Sequence, residues 1–508
     1  MPVHSSEAPA QHLDVVIIGA GLSGIGAACQ LKRRLPDRSY VVLESRPRLG
    51  GTWDLFRYPG IRSDSDMFTY SYAFEPWTHR GAIAEGDAIL NYIKDTAAKY
   101  HVTDHIRYDR RVVSADWSTP DARWTLTVSH TDTAETSAIT CDFLYGCTGF
   151  YDYDQGYTPD LSGLDQFDGT VVHPQQWPQD LDYAGKRVVV VGSGATAVTI
   201  VPAMAQAAAH VTMLQRSPTH ILPLPATDPV ADWAREHLPD RLAYAVVRSK
   251  YLFWAHTSFQ LSRRKPDWVR KFIRDEQRKI LPFDFAYDPH LTPTYNPWDQ
   301  RLCLAAGGDF FHALADGSAD IVTDTIETFT ADGVRLSSGA EVSADIIVLA
   351  TGLNLLPMGG IDLVVDGRPV VLPDEVAYKG AMLSGVPNFV YTVGYTNASW
   401  TLKADLIANY FCRLLPYMDR HGYTVVRPVA PAEGSAGAIL DLNSGYITRS
   451  IDKLPKQGAR RPWKLHQNYP LDLVMLRYGR LNDQGVRFER QRRTQSGSRP
   501  SMVSSASS

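Results

Sequence analysis

The sequence predicts an α/β fold with two parallel-sheet domains and a helical insert in the second domain. Two segments carry this prediction, at 13–36 and 186–205, because each has an apolar strand, a glycine-rich turn and a helix in succession. A third observation is the second strand that follows each of them, at 39–44 and 210–216. This order of elements is typical of Rossmann-like dinucleotide-binding domains, so we expect two such domains.

Composition and charge bear on the partners, the disulfides and the location that we expect for the protein. The 508 residues are 44% hydrophobic and 21% charged, and a net charge of −4 gives no reason to expect nucleic acid as a partner. Five scattered cysteines imply no disulfide framework, and the N-terminus has no apolar signal core, so we expect a cytoplasmic protein. The serine-rich tail, residues 491–508, is predicted to be disordered.

The first glycine-rich turn has the spacing of a dinucleotide site. Gly19, Gly21 and Gly24 follow an apolar run at 13–18. The first glycine permits a tight turn, the second lets the backbone approach a pyrophosphate, and the third lets the helix pack on the strand. Glu44 ends the next strand, twenty residues after Gly24, where a carboxylate can bind a ribose hydroxyl.

The second glycine-rich turn differs in the residue that ends its second strand. Arg216 stands where the first copy has Glu44, and an arginine can bind a 2′-phosphate that a carboxylate would repel. The contrast predicts FAD at the first site and NADPH at the second, although Arg216 is also compatible with a plain surface position. The residues expected to contact NADPH are Gly192, Gly194, Ala195, Thr196 and Arg216.

The predicted domains follow from two strands that end in Thr-Gly, at 141–150 and 344–354, where the chain is expected to pass between the domains. We expect an FAD-binding domain in two parts and an NADPH-binding domain between them. The boundaries are 1–150 and 346–490 for the FAD-binding domain, 151–345 for the NADPH-binding domain, and about 222–295 for its helical insert (the insert).

Two dinucleotide domains in one chain indicate a flavoprotein that takes hydride from NADPH. A reduced flavin can pass electrons to a disulfide, a quinone or dioxygen. Cys141 and Cys147 are the nearest cysteine pair in sequence, but they flank a strand end that is expected to be buried, so a redox disulfide is not expected. Oxygen chemistry and simple dehydrogenation both stay open at this point.

Two longer motifs carry a resemblance to a known family. Residues 50–64, GGTWDLFRYPGIRSD, and residues 167–178, FDGTVVHPQQWP, match the long motif and the fingerprint of Baeyer–Villiger monooxygenases. The chain resembles that family over nearly its whole length, from about residue 13 to about residue 490. The residues that match the fingerprint are Phe167, Gly169, His173 and Trp177, and the resemblance implies that they couple cofactor movement to catalysis. A structural histidine is the alternative for His173.

The resemblance also implies an activity. A flavin peroxide, formed from FAD, NADPH and dioxygen, would attack a ketone to give an ester or lactone, and sulfides or thioamides would be further substrates. Arg301 is implied as the cation beside the reacting oxygen, with Asp64 as its partner. Gly51, Trp53 and Asp64 of the long motif are implied to contact the flavin. The alternatives are a flavin monooxygenase acting mainly on sulfur or nitrogen, and a non-catalytic redox sensor.

Three further positions bear on specificity. Many family members have a lysine where this chain has Gln300, so phosphate binding is expected to depend more on Arg216. Many also have Tyr-Trp-Asn where this chain has residues 54–56, Asp-Leu-Phe, and substrate scope is expected to differ accordingly. Trp400 is a candidate for the wall of the substrate pocket, with core packing as the alternative. No ligand-spaced partner accompanies His173, so no metal site is expected.

Residues 241–280 contain eleven Lys and Arg against three acidic residues, with aromatic residues interleaved. The favoured interpretation is a solvated helical face over an apolar substrate pocket. The second interpretation is peripheral contact with anionic lipid at the inner face of the membrane, because a basic, aromatic helix can lie on such a surface.

Overall fold

The computed structural model describes residues 11–225, 227–431, 434–435, 437–439 and 444–491. The predicted disordered tail lies outside these residues, apart from Gln491. Two sheets, one for each glycine-rich turn, form the centre of the molecule. The prediction of an α/β fold with two dinucleotide-binding domains is confirmed.

The larger sheet grows around the strand Gln11–Ile18, which is parallel to Tyr40–Leu43 on one side and to Thr136–Gly146 on the other. Val15, Val16 and Ile17 have no exposed surface, as expected for a strand covered on both faces. Nine described strands belong to this sheet, in the spatial order Arg368–Pro369, Asp362–Val365, Arg110–Ser118, Arg123–His130, Thr136–Gly146, Gln11–Ile18, Tyr40–Leu43 and Ile106–Arg107, with Phe389–Tyr391 also paired to Thr136–Gly146.

The smaller sheet carries the second glycine-rich turn. Its central strand, Arg187–Val191, is parallel to His210–Gln215 and to Ile346–Leu349. The order of its five described strands is Ala319–Thr323, His210–Gln215, Arg187–Val191, Ile346–Leu349 and Thr170–Val172. Because the strands are parallel, their carboxyl ends meet at one edge, which is where ligands bind in such sheets.

Helices cover both sheets. The described α-helices are Leu22–Arg34, Thr52–Leu55, Met67–Tyr70, Gly86–Lys99, Ala195–Ala205, Pro229–His237, Asp240–Arg264, Pro266–Arg278, Asp309–Ala315, Trp400–His421, Gly445–Thr448 and Tyr469–Asp472. The remaining strand pairs and ribbons are Ile221–Leu224 with Cys303–Ala306, Ile326–Thr330 with Gly333–Leu336 and Glu341–Ser343, Ala377–Tyr378 with Met382–Leu383, Val425–Pro428 with Val486–Glu489, and Gly437–Ala438 with Lys456–Gln457. In the part of the chain described, no helix is long and apolar enough to cross a membrane.

The chain passes between the two sheets on a pair of antiparallel strands, Tyr151–Gly156 and Leu353–Leu355 (the connector). Each connector strand follows one of the Thr-Gly segments singled out in the sequence. The larger sheet takes strands from before the first connector strand and from after the second, so its two parts are held together by strand pairing.

The insert contains three helices, Pro229–His237, Asp240–Arg264 and Pro266–Arg278. Arg248 is buried and donates to the backbone carbonyls of Phe68 and Ser71, at the end of the short helix Met67–Tyr70. The last insert helix packs against the strand Ile221–Leu224 instead. The insert is therefore attached to elements of both domains.

Candidate functional site

A cleft of about 1030 Å³ lies where the two glycine-rich turns face each other. Its lining brings together most of the residues that the sequence singles out. They are Gly19, Gly21, Glu44, Gly51, Trp53, Asp64, Gly192, Gly194, Ala195, Thr196, Arg216, Gln300, Arg301 and Trp400. Gly24 and the fingerprint residues Phe167, Gly169, His173 and Trp177 do not line it.

The first glycine-rich turn is closely packed. Gly19 has a φ of +100°, and a Cβ on Gly24 would overlap the Gly19 carbonyl, so Gly24 acts through helix–strand packing rather than through the cleft. Gly51 of the long motif has a φ of +57°, and a Cβ there would lie 2.9 Å from the Gly21 Cα. Two backbone segments without side chains thus meet at the cleft, as the approach of a pyrophosphate requires.

Glu44 stands beside this turn. Its Oε2 accepts from the Ala20 amide at 2.7 Å, and its Oε1 accepts from the Arg46 amide at 3.0 Å. Burial raises the pKa of Glu44, and these two hydrogen bonds offset part of that effect. The carboxylate is fixed at the end of its strand with one edge on the cleft, as the sequence predicts for a ribose-binding acid.

The second glycine-rich turn is open. No atom outside the neighbouring residues lies within 4 Å of a Cβ built on Gly194, which precedes the helix Ala195–Ala205. Arg216 is exposed at the cleft and has no ion pair among the described residues. Gln215 is turned away, because its Nε2 donates to the His290 carbonyl and to Thr323. Free space, a helix N-terminus and a free guanidinium fit a dinucleotide with a 2′-phosphate.

Between the two turns, Arg301 meets Asp64. Arg301 Nη2 donates to Asp64 Oδ2 at 2.7 Å, and Nη1 donates to the Thr396 carbonyl at 2.8 Å. Burial opposes the charge on Arg301, but Asp64 makes the largest contribution in the other direction, and the net result is a raised pKa. The guanidinium is therefore a permanent cation that is held at both ends of its fork.

The Thr396 carbonyl is itself held by a network that the sequence analysis missed. The Thr396 amide donates to Gln467 Oε1 at 3.2 Å, and the Tyr395 hydroxyl donates to Asp472 at 2.7 Å. Lys403 also donates to Asp472 at 2.7 Å, and Tyr395, Lys403 and Asp472 are all buried. Burial lowers the pKa of Lys403, and contact with Asp472 offsets part of this effect. They belong to two segments, 395–403 and 467–472, that are distant in sequence, so no single local motif contains them.

Aromatic side chains form two parts of the cleft wall. Trp53 donates from Nε1 to the Tyr70 hydroxyl at 2.8 Å. Trp400 donates to Ser23 Oγ at 2.9 Å and stacks on Phe150, with ring centroids 5.1 Å apart. Trp400 is thus a wall residue that is also bound to the helix of the first glycine-rich turn.

The long motif contacts the second domain through its later residues. Gly60 has a φ of +75°, and a Cβ there would lie 2.9 Å from the Thr199 carbonyl, in the helix of the second turn. Arg62 forms an ion pair with Asp309 of the same domain. The motif therefore serves the contact between the domains as well as the cleft.

The difference from the family at residues 54–56 lies partly at the cleft, and its effect on substrate scope stays a prediction. Asp54 and Leu55 do not line the cleft, whereas Phe56 does. Asp54 is buried and binds three arginines, Arg46, Arg48 and Arg57, at 2.8–3.0 Å. A buried carboxylate needs such partners, and the neighbouring arginines of this chain supply them.

His173 of the fingerprint lies against the connector. A Cβ on Gly156 would overlap the ring of His173, so this glycine gives the ring its place on the connector strand. His173 Nδ1 accepts from the Gln175 amide at 3.2 Å, and Gln175 Nε2 donates to the Asp152 carbonyl at 2.7 Å. Burial lowers the pKa of His173, which keeps the ring neutral at physiological pH.

Gly169, Phe167 and Trp177 complete the segment without touching the cleft. A Cβ on Gly169 would overlap the Asp345 carbonyl and the Phe167 ring, so only glycine fits this turn. Phe167 is buried under the smaller sheet, and Trp177 packs against its other core. Among the described residues no group of three or more His, Cys, Asp or Glu side chains could hold a metal ion.

The interpretation of the insert as a cover for the substrate pocket is wrong. No described residue of 222–295 lines the cleft. The helices are drawn away from it because Arg248 and Tyr251 pack against Phe68, and the last helix packs on Ile221–Leu224.

Comparisons with known proteins agree with this geometry. The family described as "FMO-like: Flavin-binding monooxygenase-like" matches residues 13–228. The chain is 52% identical to the FAD-containing monooxygenase EthA of Mycobacterium tuberculosis (strain CDC 1551 / Oshkosh), over 94% of this chain and 98% of EthA.

Two solved structures share the fold over 94% of this chain. A steroid monooxygenase bound to NADP matches with a TM-score of 0.73 and 24% identity over 99% of its length. An open form of cyclohexanone monooxygenase matches with a TM-score of 0.71 and 18% identity over its whole length. Because it is 52% identical to EthA over 94% of its length, the chain belongs to the family of FAD-containing, flavin-binding monooxygenases.

Proposed function

We propose that this protein is an NADPH- and dioxygen-dependent monooxygenase of the Baeyer–Villiger type. It inserts one oxygen atom next to a ketone carbonyl to give an ester or lactone, and it also oxygenates sulfides or thioamides. The observation that carries the proposal is the Arg301–Asp64 pair, which lies in the cleft shared by both glycine-rich turns. Nucleotide binding alone does not require this pair.

The residues of the two turns divide the cofactors between them. Gly19, Gly21, Glu44 and Gly51 would hold FAD, and Gly194 and Arg216 would hold NADPH. When bound, FAD would supply the oxidising chemistry, using hydride from NADPH and dioxygen. Trp53 and Trp400 would close the cleft around the reacting groups and exclude water from them.

Arg301 would stabilise negative charge that develops on the reacting oxygen. A fixed cation in a partly dry cleft is worth more than the same cation in water, because it needs no reorganisation during the reaction. Asp64 and the Thr396 carbonyl each bind one end of the guanidinium, so they set its direction. The guanidinium is charged at any physiological pH, and the Asp64 carboxylate favours that charged form, in line with the raised pKa of Arg301.

The fingerprint segment would couple the two domains. His173 and Gln175 contact the connector, and a rotation of one domain against the other has to pass through those strands. We propose that this segment sets how the two glycine-rich turns meet when NADPH binds. The ring of His173 would act as a packed, neutral group in this role rather than as a proton donor.

The purified holoenzyme tests this proposal directly. Oxygen uptake with NADPH would be measured on adding linear ketones, cyclic ketones, aryl sulfides and thioamides, with the products analysed in parallel. Ketone-dependent uptake with ester or lactone formation is the expected result. Oxygenation of sulfides or amines without any ester would instead establish the sulfur- or nitrogen-directed alternative. NADPH consumption with no oxygenated product from any class would contradict the proposal.

A further inference from the structure

The exposed apolar surface of the protein is concentrated in two places. Fifteen large apolar side chains are exposed among the described residues. Eight of them belong to the insert, namely Val230, Trp233, Leu242, Val246, Phe253, Trp254, Trp268 and Phe283. Three more belong to residues 469–478 (the C-terminal turn), namely Leu471, Val474 and Tyr478. Apolar exposure on this scale in one region marks an interaction surface rather than chance.

The insert and the C-terminal turn are neighbours in the fold. Tyr469 interacts with Arg248 of the long insert helix. Val247 of that helix and Leu473 of the C-terminal turn contribute to the same apolar core. These contacts join the long insert helix, Asp240–Arg264, to the C-terminal turn, and we name the exposed sides of these two elements, with Lys265 directly after the helix, the docking face.

The long insert helix presents one apolar stripe to solvent. Leu242, Val246 and Phe253 are separated by four and seven residues, which places them on one side of an α-helix. Phe253 is 70% exposed, and Trp254 beside it is 53% exposed. The opposite side of the same helix, with Val247 and Arg248, is buried against the first domain.

Cations without carboxylate partners surround this stripe. Lys250, Arg263, Arg270 and Lys279 are paired with acidic side chains. Four other exposed cations of the docking face have no ion pair among the described residues: Arg241, Arg264, Lys265 and Arg477. Asp240 is the exposed acid of the same helix, so unpaired cations are in excess on the docking face, whereas the rest of the insert also carries exposed acids, at Glu236, Asp267, Asp275, Asp284 and Asp288.

Two other roles for the docking face, as a cover for the cleft and as a contact between two copies of the chain, fit it less well. The face does not cover the cleft, because no described residue of the insert lines it. Two copies of the chain that paired face to face would bring the same unpaired cations together, which is unfavourable. Aromatic side chains within a basic rim match an anionic bilayer, where the rings enter the headgroup region and the cations meet lipid phosphates.

We propose that the docking face binds the surface of an anionic lipid bilayer. The binding is peripheral, with the apolar stripe of the long insert helix and Trp254 beside it at the interface, and with Arg264 and Lys265, at the turn between the last two helices, facing the headgroups. It does not depend on which substrate the cleft accepts.

Flotation of the FAD-loaded protein with vesicles tests the proposal. One set of vesicles would contain phosphatidylcholine alone, and the other would contain phosphatidylcholine and phosphatidylglycerol in equal amounts. We expect binding to the anionic vesicles that weakens as salt is raised, since screening acts on exposed charges. Each basic residue near a lipid surface contributes roughly fivefold in affinity, so R264E/K265E is expected to lose tenfold or more.

Matched variants distinguish a loss of vesicle binding at the docking face from general effects of substitution. F253S/W254S removes two exposed rings from the long insert helix, Phe253 in the stripe and Trp254 beside it, and Val371→Ser removes an exposed apolar side chain elsewhere on the surface. Arg368→Glu reverses an exposed charge outside the face. We expect F253S/W254S and R264E/K265E to lose binding while V371S and R368E keep it, with unchanged flavin content and NADPH oxidation in all four.

Three results would overturn the proposal. The first is the absence of binding to anionic vesicles at low salt. The second is an equal loss in R264E/K265E and R368E. The third is an oligomer in sedimentation velocity that F253S/W254S converts to a monomer without any vesicle binding, since the face would then be an interface between copies of the chain.

Discussion

The two glycine-rich turns share a spacing but differ in how they are enclosed. The first turn is packed against Gly51, and its acid, Glu44, accepts two backbone hydrogen bonds. The second turn has free space at Gly194, and its arginine, Arg216, is exposed. A closed, preorganised site suits a cofactor that stays bound, and an open site suits one that enters and leaves in each turnover.

This difference comes from the long motif. Residues 50–64 fold back over the first turn and then reach the helix of the second, where Gly60 contacts Thr199. The second turn has no counterpart of this segment among the described residues. The same local sequence pattern therefore produces two kinds of site, and the tertiary partner decides which.

The largest expected effect follows from closing the first turn further. Gly21→Val should give a colourless protein, because its side chain would fill the gap between Gly21 and Gly51, where a Cβ already lies 3.4 Å from the Gly51 Cα. Flavin absorbance per protein is the measurement, with circular dichroism as a check on folding. Gly194→Ala is the matched control, because a Cβ there meets open space.

The control is expected to stay yellow and to show a higher NADPH Michaelis constant, since its methyl group enters the space that a phosphate would approach. A folded G21V protein with full flavin absorbance would show that FAD does not bind at the first turn. Loss of flavin in G194A to the same degree would end the distinction between a closed and an open turn.

The next effect concerns the place where the two turns meet. Arg301→Ala is expected to fold, bind FAD and consume NADPH, but to release hydrogen peroxide instead of ester. Removing one preorganised electrostatic contact of this kind costs about 2.7–4 kcal/mol, or roughly 100- to 1000-fold in the product-forming step. Stopped-flow flavin reduction and product analysis on the same preparation separate the two half-reactions.

Asp64→Ala is expected to show a milder form of the same defect, because Asp64 acts through the direction of the guanidinium. Lys403→Met, which changes the network behind Thr396, should also lower the ratio of product to NADPH without changing flavin reduction. Unchanged ester yield per NADPH in R301A would exclude Arg301 from the oxygenation step.

A smaller effect tests the open turn. Arg216→Ala should reduce the preference for NADPH over NADH by about 1.5–3 kcal/mol, the range for hydrogen bonds to charged groups. Its effect on the Michaelis constant for NADH should be slight. Gln300→Lys is the converse variant, because a lysine at this cleft position would add a second cation and strengthen the preference. Equal losses with both cofactors in R216A would show that it does not bind the 2′-phosphate.

The sequence predicts the two turns well because their chemistry is local. Gly19, Gly21 and Glu44 lie within one strand–helix–strand unit, and spacing alone places them together. Arg301 and Asp64 are 237 residues apart, and only the resemblance to a family paired them. The Tyr395–Asp472–Lys403 network had no such help, since its members belong to no motif and meet only through tertiary packing.

The burial of Asp54 and the place of the insert depend on tertiary partners that the sequence does not show. Three nearby arginines supply the partners that the buried Asp54 carboxylate requires. The insert was expected over the cleft because aromatic residues interleave with its many cations, yet this pattern does not specify which neighbour the apolar side meets. Arg248 is buried and holds the long insert helix on the Phe68 carbonyl, but its position in the sequence does not distinguish it from the exposed cations of the same helix.

The smallest expected effect concerns His173, which packs on the connector between the two domains. Burial lowers the folded-state pKa of His173 below its unfolded value of about 6.5. A group of this kind contributes stability above the unfolded pKa, and the contribution is lost as pH falls through the folded pKa. His173→Asn keeps an acceptor for the Gln175 amide but cannot titrate, as Asn is a good capping residue. Wild type should therefore lose more thermal stability than H173N between pH 6.5 and pH 5. If the melting temperatures of wild type and H173N fall equally with pH, protonation of the buried His173 ring carries no cost in stability. If wild type falls more steeply and the NADPH Michaelis constant of H173N is unchanged at pH 7.5, His173 acts only by packing on Gly156.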